Sequence, residues 1–272
     1  MLRRPISWRW HVFLGVVSFA TLAFLYTLWY QQRQRNDPED RVLPSWERLW
    51  NEGVCSALTE RDPKDKGLIL WKDLGATFSR LANGMALSIA IALPLGVLMG
   101  CYAPIEAFVL PPLSFLAKIP GTAMLGVFYI MPGIGLSERF FTAMIVFGII
   151  PTMTQSIYHA AKEDVPEELI FKARTLGASQ AECICDVVFM HILPKVLEAF
   201  RLSIGPALIF LFASETIYGD EGLGRRIRLQ SAKGIERYPI VFFYLACAGL
   251  FGLTIDSALR WMRRVLCPWY VQ

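Results

Sequence analysis

The sequence has 272 residues, of which 54% are apolar and 18% are charged, and 27 basic against 23 acidic residues give a formal net charge of +4. Soluble domains have about 45–50% apolar and about 25% charged residues, so both fractions are shifted toward a membrane protein. The same composition excludes a disordered chain, a collagen and a disulfide scaffold. Because a spanning helix needs about 20 apolar residues, six spans would use roughly 120 residues and leave too few for a large soluble domain.

Six segments are long and apolar enough to span a membrane, at residues 11–30, 81–101, 107–131, 140–157, 199–218 and 238–261. The first ends in aromatic residues typical of a membrane interface and has no small-residue cleavage site after it, which favours an uncleaved anchor over a signal peptide. The third is interrupted by prolines and a glycine. We predict an all-α membrane protein with an anchor helix at 1–30, a periplasmic segment at 31–77 and a transmembrane domain at 78–272.

The distribution of basic residues predicts the orientation of the spans, because Lys and Arg are enriched in cytoplasmic loops. Both ends of the chain are basic and are therefore expected in the cytoplasm, with segment 31–77 outside and residues 159–195 inside. One loop disagrees with this topology, since it is basic and would lie outside. The basic residues at the two ends are Arg3, Arg4, Arg9, Arg260, Arg263 and Arg264, and those in the conflicting loop are Arg225, Arg226, Arg228, Lys233 and Arg237.

No catalytic, cofactor or metal site is recognisable in the sequence. The three histidines are far apart, Cys183 and Cys185 lack the spacing of metal ligands, and the motifs for phosphate binding, serine hydrolysis and zinc proteolysis are absent. Few ionisable residues fall within the spans and no internal repeat is visible, which disfavours a proton-coupled carrier. Any transport by this chain is therefore expected to take its energy from elsewhere.

The polar stretch between the fourth and fifth spans, residues 162–195, contains dense helix signals. Asp164 is predicted to cap a first helix with Glu167 in a capping box, and Gly177 fits the left-handed position that ends it. Two residues after Gly177, Ser179 and Glu182 predict a second capping box and thus the start of a second helix. Pro194 is expected to stop this helix. Two helices joined by a sharp corner are thus predicted, and an apolar face on the first must pack on this chain or fit a partner's groove. The residues of that face are Leu169, Ala173 and Leu176.

At these residues the chain resembles a known family. The run Ala173-Arg-Thr-Leu-Gly177-Ala-Ser179 resembles the EAA loop of ABC importer permeases, and Glu215-Thr-Ile-Tyr-Gly-Asp-Glu-Gly222-Leu-Gly224 is similar to the family's glutamate and Gly-Leu-Gly after a span. Together with the ending 266–270, these motifs resemble the branch for nitrate, taurine, other sulfonates and related solutes. Segments 37–45 and 70–73 resemble a sub-branch associated with urea or guanidine carboxylation. The resemblance covers residues 35–270.

The resemblance implies a non-catalytic permease subunit of an ATP-driven importer in the bacterial inner membrane. It implies a homodimer that works with two cytoplasmic ABC ATPases and a periplasmic solute-binding protein, and no nucleic-acid partner. The family's Glu-Ala-Ala aligns with 171–173, so only the last alanine is retained and the family's charge at position 171 is lost. The residues expected to couple to the ATPase are Glu168, Phe171, Lys172, Ala173, Leu176, Gly177, Ala178 and Ser179.

Three residues within or beside the spans are candidates for a translocation path, namely Lys118, Pro120 and Glu215. Carboxylates at membrane depth usually face a cavity or a partner, so Glu215 is either a path or dimer-interface residue or a carboxylate that reaches the outer membrane edge. Lys118 and Pro120 lie at the break in the third span and either line the path or form a structural kink. The glycines of the second span, by contrast, are predicted to be helix-packing surfaces; they are Gly84, Gly96 and Gly100.

Two other functions remain open at this point. An ion-coupled secondary carrier would transport without any ATPase partner, and a small integral membrane enzyme would show a cluster of histidines or carboxylates. The solute itself is not identifiable from the sequence, because in the family that this chain resembles the external binding protein does most of the selection.

Overall fold

The computed structural model describes residues 7–36, 42–61, 67–135 and 137–269. In these ranges the regular structure is helical apart from one isolated bridge between Arg61 and Leu68, which confirms the predicted all-α class. Among the described residues, five helices are long and apolar enough to cross a membrane, and a sixth span is present if one bent helix pair is counted. Arg3, Arg4 and residues 37–41 of the predicted sub-branch motif lie outside the described residues.

Within the described ranges, short connections join consecutive helices. Two π-helical segments, Leu49–Cys55 and Cys183–Val188, and two 3₁₀ segments, Gly121–Met124 and Ile235–Arg237, join them. In chain order the helices are α1 Trp8–Asn36, α2 Trp46–Arg48, α3 Ser56–Thr59, α4 Ile69–Cys101, α5 Ala103–Leu116, α6 Leu125–Ile130, α7 Glu138–Glu163, α8 Glu167–Thr175, α9 Gln180–Glu182, α10 Phe189–Leu202, α11 Ile204–Tyr218, α12 Leu223–Ala232 and α13 Tyr238–Leu266.

One compact unit consists of residues 1–59 with residues 230–243. Tyr26 of α1 donates a hydrogen bond to the carbonyl of Pro44 at 2.6 Å, and its ring packs edge-on against Trp46 at 5.1 Å. Gly53 touches the backbone of Pro239 so closely that an added Cβ would lie 2.7 Å from the Pro239 oxygen. These contacts anchor the residues that follow α1, whereas the apolar side chains of α1 itself remain largely exposed.

A second compact unit consists of residues 60–229 with residues 244–272, and α7 lies at its centre. Helix α7 packs along α4, α10 and α11 and contributes buried side chains to the two main apolar clusters. The predicted small-residue surface of α4 is confirmed, because Gly84, Gly96 and Gly100 each lie against a different residue of α7. An added Cβ would lie 2.7 Å from Ile145 at Gly84, 2.8 Å from Ile157 at Gly96 and 2.5 Å from Ala161 at Gly100.

The predicted interruption of the third span is present. Helix α5 and the segment Gly121–Ile130 are bent by 83° at the break between them, and the side chains of Lys118 and Pro120 are exposed there. The bend packs closely against α11 at Gly121, because a Cβ added there would lie 2.3 Å from the Phe210 ring.

Helix α4 begins at Ile69, well before the apolar run that starts at Leu81. Its 33 residues would span about 50 Å, longer than the roughly 30 Å hydrocarbon core of a bilayer. The extra turns include Lys72, Asp73 and Arg80. Because these residues are charged, the predicted span began only at Leu81. The helix tolerates these charges because the two that are buried, Asp73 and Arg80, form ion pairs within the protein.

Two of the helix-end predictions in the 162–195 loop are wrong. Asp164 does not cap α8; it ends α7 and its carboxylate pairs with Lys195 instead, while Pro166 precedes α8 without a side-chain cap. Pro194 does not stop the second helix but lies buried inside α10; prolines are tolerated within membrane helices where the backbone groups that they free find other partners.

The corner of this loop is as predicted. Gly177 has φ +92°, in the left-handed region, and Ser179 and Glu182 form the reciprocal capping box. Both features depend on residues at most three apart, so local sequence was sufficient to predict them.

Candidate functional site

Three polar residues of α4 lie on one face of the helix. Asp73, Thr77 and Arg80 follow each other at the i, i+4 and i+7 positions and are all buried. Polar side chains so buried need partners, and the structure supplies them from α7, α11 and the turn after α11. We refer to Asp73, Thr77, Arg80, Glu138, Glu215 and the turn 219–224 as the Glu215 cluster.

Glu215 is fully buried at the centre of this cluster, with no exposed side-chain surface. Its carboxylate accepts hydrogen bonds from the Thr77 hydroxyl at 2.9 Å, from Arg80 Nη1 at 3.1 Å and from the N–H of Gly224 at 3.0 Å. An ion pair and two further hydrogen bonds therefore compensate for its burial. The structure thus places Glu215 inside this chain rather than at an exposed outer edge.

The turn after α11 aims three successive N–H groups at the cluster. Gly222 donates to Asp73 Oδ1, Leu223 to the Thr77 hydroxyl and Gly224 to Glu215 Oε2, each at 3.0 Å. Gly222 has φ +117°, and an added Cβ there would lie 2.4 Å from Glu215 Oε1. Glycine at position 222 is therefore required both by the backbone conformation and by the closeness of the carboxylate.

Arg80 joins the buried part of the cluster to an exposed carboxylate. Its Nε and Nη2 donate to the two oxygens of Glu138, both at 2.7 Å, in a bidentate pair. Its Nη1 donates to Glu215 and to the carbonyl of Glu221, and its guanidinium lies 4.0 Å from the centre of the Phe141 ring. One arginine therefore links α4, α7, α11 and the following turn.

Three of the five basic residues in the loop that conflicts with the predicted topology have partners within the folded chain. Arg225 and Arg228 donate to carbonyls at the end of α11, namely those of Gly219, Thr216 and Ile217. The last carbonyls of a helix lack partners within it and carry partial negative charge, so cations there are stabilising. A third arginine, Arg226, pairs with Asp73 at 2.8 Å. These three arginines therefore stabilise the fold through partners in the same chain.

A second candidate site is the corner of the 162–195 loop, which contrasts with the cluster in being exposed. The side chain of Ile170 packs inward against an apolar cluster and Ala173 is half-buried. Phe171 and Leu176 point outward with 61% and 89% of their surface exposed. On the outward surface, Lys172 Nζ lies 3.9 Å from Glu168 Oε2.

All eight predicted coupling residues lie within this one short segment, which is fixed by α8 and by the Ser179 capping box. The three predicted path residues are not brought together. Lys118 and Pro120 lie at the α5–α6 break, whereas the polar partners of Glu215 are Thr77, Arg80 and Gly224. The sequence prediction missed Asp73, Thr77, Arg80 and Glu138, although the first three repeat at helical spacing. Among the described residues, no group of three or more potential ligands could hold a metal ion.

Comparisons with known proteins identify the family. Residues 75–269 match the family described as binding-protein-dependent transport system inner membrane component. The chain is 26% identical to the taurine transport system permease protein of Escherichia coli K12, over 98% of this chain and 94% of that one. It is 30% identical to a probable ABC transporter permease protein of Brucella melitensis, over 72% and 78% of the two chains.

A solved structure has the same fold. The chain resembles the inward-facing MetNI methionine ABC transporter with a TM-score of 0.51 at 18% identity, covering 79% of this chain and 99% of that one. The family match over residues 75–269, and not this likeness of fold, identifies a subunit of a binding-protein-dependent transport system rather than a secondary carrier or a membrane enzyme, the two functions that the sequence left open. The chain therefore belongs to the binding-protein-dependent transport family as a multi-pass inner-membrane permease of an ABC importer for a small solute, a non-catalytic subunit that depends on an ATPase and a substrate-binding protein.

Proposed function

We propose that the 162–195 loop is the coupling element that receives the nucleotide-driven movement of the ATPase, and that the permease acts as a homodimer with two ATPase chains. The observation that carries this proposal is the exposure of Phe171 and Leu176 on a short, rigid corner between two membrane-spanning helices. Large apolar side chains that project from a surface corner mark a contact site. A helix with apolar residues on its outward side fits a groove in a partner.

The geometry of the corner suits transmission of force. Gly177 turns the chain sharply, and α9 then continues through a π-helical segment into α10, which enters the membrane domain. The loop also packs on the membrane domain through Ile170. A push on α8 would therefore reach α7 and α10 directly. The proposed contact surface comprises Glu168, Phe171, Lys172, Ala173, Leu176, Gly177, Ala178 and Ser179.

Ala173→Glu and Gly177→Asp test this proposal. Both are expected to leave membrane insertion intact, because the surface around Ala173 is partly open and no neighbour lies within 4 Å of a Cβ added at Gly177, although aspartate there strains the corner locally at φ +92°. ATP-dependent uptake should be lost, since a charge or a distorted corner would prevent docking. Gln180→Glu is the matched control, because it adds the same charge at the start of α9, where the helix dipole stabilises an acid. Normal uptake in Ala173→Glu would contradict the proposal.

We also propose that both termini are cytoplasmic, with an anchor at 1–30, an outer segment at 31–77 and the transport domain at 78–272. The structural use of Arg225, Arg226 and Arg228 supports this topology, because these residues have a folding role and need not mark a cytoplasmic loop. Labelling Cys55 with a membrane-impermeant maleimide in intact cells tests it, and labelling only after lysis would reverse the orientation.

The solute is proposed to be a small sulfonate or a related anion. One relative is named as a taurine permease and another, 25% identical over 84% of this chain, as a putative aliphatic sulfonates permease of Bacillus subtilis 168. Lys118, exposed at the break beside Pro120, is the cation proposed to line the path, whereas Glu215 is proposed to hold the end of the path in shape. Competition for uptake by taurine, with Lys118→Gln against the exposed control Lys233→Gln, tests this assignment. Uptake that no sulfonate inhibits would overturn the solute class.

A further inference from the structure

The two carboxylates that bind Arg80 differ sharply in their surroundings. Glu215 is fully buried, whereas 71% of the Glu138 side chain is exposed. Glu215 is also held by Thr77 and by the N–H of Gly224. Within the described part of the chain, Arg80 is the only side chain that binds the Glu138 carboxylate.

Charge balance makes Glu138 the removable partner. Arg80 and Glu215 neutralise each other, so the buried ion pair is complete without a second carboxylate. Glu138 lies in the first turn of α7, following Ser137. Released from Arg80, its carboxylate would face water beside the positive end of the helix dipole, which stabilises an acid there. Breaking this one contact therefore leaves no buried charge uncompensated.

The Arg80–Glu138 pair also lies between two cavities. One, of ≈780 Å³, follows the outward faces of α4 and α7. The other, of ≈490 Å³, is lined by aromatic residues of α6, α7 and α11 and by the turn 219–220. Arg80 and Glu138 are the two residues that line both. Aromatic contacts hold the far wall of the second cavity, since Tyr129 stacks on Tyr218 at 4.0 Å.

We propose that the Glu138–Arg80 pair is a latch that separates these two cavities and opens when the start of α7 turns away from α4. Arg80 stays in place because Glu215 and the carbonyl of Glu221 hold it. Opening joins the two cavities at the end of the permease where α4 begins, which is the outer end in the proposed topology. The role of the latch is to admit solute to the path, and this role rests on the proposed transport function.

The test is the accessibility of a reporter cysteine in the first cavity. Thr142→Cys is suitable because Thr142 lines that cavity one turn after Glu138 on α7. The exposed Cys55 is replaced by serine, and right-side-out vesicles are treated with a membrane-impermeant maleimide. Glu138→Gln, which removes the charge but keeps the shape, should raise the labelling rate roughly tenfold, as expected for the loss of a charge-assisted hydrogen bond. Glu138→Asp should restore most of the slow labelling.

Asp220→Asn is the matched control, because Asp220 is an exposed acid that lines only the second cavity, and it should leave labelling unchanged. Unchanged labelling in Glu138→Gln would overturn the latch, and so would failure of that variant to fold, since Glu138 would then be needed for stability. Labelling needs neither ATPase nor solute. If Glu138→Gln raises the labelling rate but the permease shows no ATP-driven uptake, the proposed coupling alone is overturned. If the permease shows ATP-driven uptake but Glu138→Gln leaves the labelling rate unchanged, the latch alone is overturned.

Discussion

The Glu215 cluster and the corner of the 162–195 loop both lie at helix ends, but they differ in burial. The side chains at the centre of the cluster are buried and paired, whereas the large apolar side chains of the corner are exposed. In the cluster the buried carboxylate and guanidinium have partners within the same chain. At the corner, Phe171 and Leu176 are exposed apolar groups without a covering surface in the described chain. The polar groups of the first site are paired within one permease subunit, whereas the second is the site proposed to bind a partner. Variants of the cluster should therefore change the stability of the permease, and variants of the corner should change its coupling.

The largest effect on stability is expected for Glu215→Ala. Removing this carboxylate leaves the buried Arg80, Thr77 and Gly224 N–H short of an acceptor, which should lower the free energy of unfolding by about 3–5 kcal/mol. Denaturant unfolding of the purified permease in detergent measures this change. Asp220→Ala is the control, because its carboxylate is exposed and its loss should cost less than about 0.5 kcal/mol. Equal stability of the two variants would contradict a buried role for Glu215.

A smaller loss is expected for Gly222→Ala, at about 1–3 kcal/mol. The added methyl group would meet the Glu215 carboxylate at 2.4 Å on a backbone with φ +117°. Thermal unfolding of the variant gives the change. Gly75→Ala is the matched control: Gly75 lies within α4 with nothing near its Cβ position, so alanine there should be neutral or stabilising. A Gly222→Ala chain as stable as the control would mean that the turn can move away from Glu215.

A loss of about 1 kcal/mol is expected for Ser179→Ala, because the Ser179 side chain caps α9. Hydrogen exchange of the amides in α9 should accelerate, while the Glu215 cluster keeps its protection. Ser156→Ala is the control, since the Ser156 hydroxyl is exposed and donates to the carbonyl of Thr152 four residues earlier in α7, and its removal should have little effect. If exchange in α9 is unchanged, the capping box does not stabilise the corner.

The smallest change in stability, within about 0.5 kcal/mol, is expected for Leu176→Asp, because the side chain is almost fully exposed. ATP-dependent uptake should nevertheless be abolished, as the charge would enter an apolar contact. This separation of stability from transport distinguishes the corner from the cluster. A marked drop in the unfolding midpoint of Leu176→Asp would show that the residue belongs to the folded core.

The corner was largely predictable from the sequence because its determinants are local. Gly177 and the Ser179–Glu182 box act over three residues, and both are present as predicted. The failures nearby are instructive. Asp164 had the right spacing for a cap but finds a distant partner, Lys195, and Pro194 stays inside a helix because it is packed among neighbouring helices. Tertiary contacts overrode the local preference in both cases.

The Glu215 cluster was only partly visible in the sequence. Glu215 and the Gly-Leu-Gly after it were recognised as a motif, and Asp73, Thr77 and Arg80 do repeat at helical spacing. Their pairing was not predictable, since Thr77 and Glu215 are 138 residues apart and hydrogen bonds between distant segments leave no periodic signal. The arginines after α11 looked like a topology conflict for the same reason.

The sequence by itself determined the apolar spans, the break in the third span and the loop corner that joins two of the helices. Span length, helical period and capping all depend on residues close together in the chain. Only the tertiary structure decided where the buried charges find their partners, and hence why α4 begins at Ile69 and why Gly222 must be glycine. The physical reason is that a charge at membrane depth is tolerated only where a partner lies within hydrogen-bond distance, and that distance is set by how the helices pack.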